Sequence, residues 1–179
     1  LTNLGAFTTA GTFTLNDAGG LALTGSLATG AGFATVTSTG LLALGTTDIT
    51  STGASLTGLG VTSLAGSVVD AGSGIILVDG TDGAINLAGA LTTTNASTTA
   101  VTIQDATTAA LGAITTGAAG TVILGGATTD NLSGAVTQTG IITTGTLTGN
   151  AGSTVVLGGA NALTNLGAFT TAGTFTLND

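Results

Sequence analysis

The sequence predicts an all-β chain wound as a parallel β-helix, or β-solenoid, and three observations carry that reading. Short apolar/polar alternations recur about every 20 residues, Gly and Asn/Asp clusters punctuate them, and no stretch combines helical periodicity with a cap and a stop. The composition agrees, with 32 Gly in 179 residues, 42% hydrophobic residues and only 4% charged. Disorder pairs low hydrophobicity with high charge, and this chain has the reverse.

The elements follow in chain order. Leu4-Gly5-Ala6-Phe7 opens a phrase in which Leu is followed closely by Gly, a small or polar residue and an apolar one. Thr12-Phe13-Thr14-Leu15 then alternates as a half-buried strand, and Asn16-Asp17-Ala18-Gly19-Gly20 reads as a turn before Leu21-Ala22-Leu23. The phrase returns as Leu23–Leu27, more loosely from Leu44-Gly45 to Ile49, and then as Leu64–Val68, Leu87–Leu91, Leu111–Ile114, Leu132–Val136 and Leu166–Phe169. Its last apolar residues are 7, 27, 49, 68, 91, 114, 136 and 169. Each suits one coil of strands three to five residues long, except that the final step is 33 residues. Leu147 divides that step, so the count is seven or eight coils per repeat, and Thr137–Thr146 is the expected place for a protruding insert.

A longer repeat encloses the short one. Residues 1–17 and 163–179 both read LTNLGAFTTAGTFTLND, at an offset of 162 residues. Residues 1–162 therefore read as one full tandem unit of a continuous solenoid, and residues 163–179 as the start of the next. The chain opens on Leu1-Thr2-Asn3 with no signal-peptide pattern, as expected of a piece of something longer.

One coil cannot bury its apolar face alone, so like residues are expected to stack at about 4.8 Å per rung. The expected core comprises Phe7, Phe13, Leu15, Leu23, Leu27, Phe33, Leu56, Leu64, Ile75, Leu77, Leu87, Leu91, Val101, Ile103, Ile114, Val122, Leu124, Val155 and Leu157. Like charges stacked at the same spacing repel, whereas Thr, Ser and Asn form uncharged ladders. The eight acidic residues, Asp17, Asp48, Asp70, Asp79, Asp82, Asp105, Asp130 and Asp179, mostly fall at expected turns.

Composition narrows function sharply. Without Lys or Arg, nucleic-acid binding loses its dominant electrostatic term, and no side-chain salt bridge forms. Without His or Cys, the usual general base, thiolate nucleophile, disulfide and zinc ligand sets are missing. No catalytic or cofactor-binding residue is expected, and the chain reads as a non-enzyme. Asp79-Gly80-Thr81-Asp82-Gly83 is the densest polar spot and a weak metal candidate through Asp79 and Asp82. It lacks the calcium-roll and EF-hand spacings, so a solvated turn is preferred. Paired carboxylates on a β-helix also suit polysaccharide cleavage, but aromatic platforms and basic residues are absent. No apolar run reaches the roughly 18 residues of a spanning helix, and Trp and Tyr girdles are lacking. The triplets Thr12-Phe13-Thr14, Thr35-Val36-Thr37 and Thr146-Leu147-Thr148 place Thr outward, which makes an ice-binding array a distant reading.

The phrases Gly5–Leu15 and Gly112–Leu124, with the segment Thr99–Thr108, carry a resemblance. The chain resembles the β-strand-repeat exoproteins of bacteria, the group of filamentous haemagglutinins and large two-partner-secretion and autotransporter adhesins. The resemblance implies a right-handed parallel β-helix, passage through an outer-membrane export pore, and an extracellular or cell-surface role. The expected function is a structural repeat of a long bacterial filament, fibre or stalk, self-associating end to end or joined as covalent tandem copies. An adhesin shaft that binds host or neighbouring cells is the alternative.

Overall fold

The computed structural model describes residues 1–127 and 129–179. Among them there is no helix, and 21 strands join in one continuous parallel sheet that winds as a solenoid. Each coil crosses three faces. On the second face the stacked positions run Phe7, Leu27, Ile49, Val69, Leu91, Ile114 and Ile142, and continue from Thr143 to Ala162. That ladder crosses eight strands, so the stack is about eight coils high.

The first face stacks Leu21, Leu42, Val61, Ile85, Ala109, Val136, Val155 and Phe175. The third stacks Leu15, Val36, Leu56, Val78, Ile103, Leu124, Gly149 and Phe169. In the middle coils these positions are fully buried, and the three columns meet in one dry core. Full burial of such a side chain contributes roughly 1.5–3 kcal/mol, and no coil obtains it without a neighbour on each side.

Several expectations change. Of the expected core, Leu23, Leu27, Leu56, Leu87, Leu91, Val101, Ile103, Ile114, Val122, Leu124, Val155 and Leu157 are buried. Phe13, Leu15 and Phe33 are half-buried. Leu64, at 58% exposure, points out of a corner between Ser63 and Ser67, which hold the inward positions. Ile75 is exposed and Leu77 faces outward, because Ile76 and Val78 pair with Ala54 and Leu56 below and with Val101 and Ile103 above. Three consecutive apolar residues carry no alternation, so the adjoining rungs set their parity. Phe7 is exposed because the first coil is covered on one side only, and its ring rests on Phe13 instead.

Strands also run longer than three to five residues. Ile76–Leu87, Val101–Leu111, Ile142–Ala151 and Ala162–Thr171 continue around a corner from one face to the next. In Ile76–Leu87 a register shift between Asp79 and Gly83, with positive φ at Thr81 and Asp82, makes the bend.

Residues 137–146 hold no insert. They are ordinary coil, ending Val136–Gln138 and opening Ile142–Ala151. Val136 lies on the first face and Phe169 on the third, whereas the earlier phrase endings belong to the second, so the 33-residue step spans one coil and two further faces. The preceding coil, from Ile114 to Ile142, is the long one, and its extra length sits in the connection 125–135, where Leu132 is buried and bridges Ala106 to Ala151. Residue 128, within that connection, lies outside the described residues.

Glycine at the corners answers mainly to crowding. A Cβ on Gly112 would stand 2.1 Å from the Gly89 carbonyl oxygen, on Gly74 1.9 Å from that of Thr52, and on Gly134 1.9 Å from that of Thr107. Those three glycines represent the three corners, where adjacent coils approach too closely for any side chain.

Candidate functional site

Three features merit consideration as sites: an acidic corner, stacked hydroxyls, and the two copies of the terminal coil. The acidic corner joins the third face to the first. Asp79 accepts from the Thr81 amide and from the Gln104 side-chain amide, both at 3.0 Å. Asp82 and Asp105 both adopt left-handed backbone, at φ 63° and 51°. Burial first, and then the charges of Asp79, Asp82 and Asp130, push the Asp105 carboxyl above the ordinary aspartate value. One Asp79 oxygen is thus engaged within the turn and the other by the next coil. Among the described residues no group of three or more His, Cys, Asp or Glu is placed to hold a metal ion.

Elsewhere the carboxylates accept from backbone amides of their own turn or of the next coil. Asp48 accepts from the Val68 amide and Asp70 from the Gly72 amide, each at 2.9 Å. Asp17 departs from the expectation of a solvated turn. It is buried, accepts from the Gly19 amide at 3.0 Å and pairs with the terminal ammonium of Leu1. That ammonium's hydrogen bond is the main reason its carboxyl lies below the ordinary value, and the Gly19 amide adds to the effect.

An inward column of hydroxyls lines the corner between the second and third faces: Thr29, Ser51, Thr93, Thr116 and Thr144, all buried. Thr116 and Thr144 bond each other at 2.8 Å, while Thr29 and Thr93 close on the carbonyls of Gly32 and Gly74, both at 2.6 Å. Ala71 interrupts the column one residue past the paired Asp70 and Thr50, and the buried Ser51 hydroxyl has no hydrogen-bond partner. Sequence reading anticipated uncharged ladders without locating this one. Its signal was a hydroxyl two residues after every second-face apolar position except Val69, where Ala71 stands.

A second polar node was missed. Buried Asn161 donates to the Asn178 carbonyl at 2.8 Å and accepts from the Ile142 amide at 2.9 Å and from Gln138. It ties three successive coils together.

The outward Thr array is broken. On the third face Thr14, Thr35, Ser55, Leu77, Thr102, Ile123 and Thr148 form one column, so two apolar residues interrupt the hydroxyls.

The two terminal-coil copies share their local geometry from Phe7 and Phe169 onward. Phe7 and Phe13 stack with centroids 4.8 Å apart at 52°, and Phe169 and Phe175 at 4.8 Å and 53°. The Gly11 amide donates to Thr9, and Gly173 to Thr171, both at 3.3 Å. Asp17 closes on the Leu1 nitrogen as Asp179 closes on the Leu163 amide. The turn from Phe7 to Phe13 thus recurs from Phe169 to Phe175, whereas Asn3-Leu4 lie on the first face beside Ala22-Leu23 and Asn165-Leu166 lie on the third beside Thr146-Leu147.

The fold defines the class as a parallel β-solenoid. No family model, curated protein or solved structure matches the chain. No helix among the described residues is long and apolar enough to cross a membrane.

Proposed function

We propose that this chain is a structural unit of a long extracellular bacterial filament, which extends by coil-on-coil β-stacking and performs no catalysis. The observation that carries the reading is the recurrence of one 17-residue sequence at an offset of 162 residues, in a stack in which each coil pairs with the next through parallel strands. Unpaired parallel edges template further pairing, and a contact between unlike ends propagates as an open filament. The resemblance to bacterial β-strand-repeat exoproteins supports passage through an outer-membrane pore. A chain without Cys cannot be locked by a disulfide before it threads such a pore.

The reading is tested with antibodies against the repeat, applied to intact cells of the source organism. Labelled surface fibres in electron micrographs are the expected outcome. Antigen confined to the cell interior would overturn the proposal.

A further inference from the structure

The segments from Phe7 to Asp17 and from Phe169 to Asp179 share their local geometry but occupy different corners of the stack. The first copy turns from the second face, where Phe7 pairs with Leu27, into the third, where Phe13 pairs with Ala34 and Leu15 with Val36. The second copy turns from the third face, where Phe169 pairs with Gly149, into the first, where Phe175 pairs with Val155 and Leu177 with Leu157. The second-face ladder from Phe7 to the Ala162 strand counts seven steps, and the corner then lies one face further on. The repeat of 162 residues is therefore seven coils plus one face.

The strand Phe175–Leu177 presents the same backbone groups to its next neighbour as Phe13–Leu15 does, although it occupies another face. In the first copy the Phe7 amide donates forward to the Ser26 carbonyl at 3.0 Å and the Phe13 amide to the Phe33 carbonyl at 2.9 Å. In the second copy the backward bonds use the Thr174 carbonyl, from Val155 at 2.8 Å, and the Asn178 amide, to Leu157 at 2.9 Å. Alternate residues of a parallel strand bond opposite neighbours. Phe175 and Leu177 therefore direct their backbone groups forward, as Phe13 and Leu15 do.

We propose that a second copy of this unit seats its residues 27–38 on residues 169–179 just as those residues sit on 7–17 within the chain. Phe169 then meets Leu27 of the second unit, Phe175 its Ala34 and Leu177 its Val36. Each joint turns the next unit by one third of a turn about the long axis. This rests on the filament reading and adds its register. Surface features such as the acidic corner then face three directions in succession and return to the first after three units.

The test is the full chain extended at Asp179 by nine successive copies of residues 18–179, imaged by electron cryomicroscopy. A second sample carries Thr35→Cys in every unit, coupled to a gold label, since the chain has no other thiol. The expected result is an unbroken solenoid rising about 35 Å per unit, at about 4.8 Å per coil, with gold in three rows. An unbroken solenoid with gold in a single row would overturn the turned joint and leave the filament reading standing. Separate beads, or units that fail to stack, would overturn both.

Discussion

At the scale of single residues, a neighbouring coil decides what each position tolerates. Ser51 holds a buried hydroxyl with no partner because Ala71 stands where the next hydroxyl would be. An unpaired buried polar group costs about 1–3 kcal/mol. Ser51→Ala is accordingly expected to leave stability unchanged or raise it by about 1 kcal/mol, read from denaturant unfolding; a loss of that size would mean the hydroxyl has a partner. Glycine gives a sharper contrast. Gly112→Ala forces a methyl to 2.1 Å from the Gly89 carbonyl oxygen, whereas Gly158 has nothing within 4 Å of the same position. The first substitution is expected to cost about 1–3 kcal/mol or more by overpacking, and the second to stay within about 0.5 kcal/mol. Equal costs in thermal unfolding would mean that backbone freedom, and not crowding, selects glycine here.

At the scale of elements, strand parity and the bent corner govern behaviour. Ile76 is fully buried and Leu77 faces outward in the interrupted Thr column. Ile76→Thr is expected to lose about 3 kcal/mol, combining lost apolar burial with a buried hydroxyl, while Leu77→Thr is expected to be nearly neutral. Chemical denaturation of the pair checks the assignment, and the opposite ranking would reverse the strand. The acidic corner gives a pH dependence of definite sign. Asp105, raised above 3.8, binds a proton more readily in the folded state, so its contribution stabilises as pH falls through the raised value towards 3.8. That window lies wholly above 3.8. Melting temperature is thus expected to rise on acidification in that window, and Asp105→Asn to diminish that rise. A variant with an unchanged profile would assign the rise to other carboxylates.

At the scale of the whole molecule, the spacing of phrases was legible wherever they shared a face. The second-face positions 7, 27, 49, 91 and 114 were read directly from sequence, and 68 lies beside the stacked Val69. Legibility ended at Leu132–Val136, because a Leu-x-Gly phrase marks a corner without saying which of three corners it is. Parity failed at Ile75-Ile76-Leu77, where local alternation is silent and the adjoining rungs decide. The acidic turn was visible as composition, but its closure through Gln104 depends on a residue 25 positions away. The hydrogen bonds between coils run along the long axis, and that direction has a mechanical consequence. Tension on the two ends loads the bonds of one end coil at a time, so the stack peels instead of shearing. Each released coil of about 22 residues gives up about 4.8 Å of height and yields about 75 Å of slack chain. A shaft built this way would lengthen in steps under load before it parts.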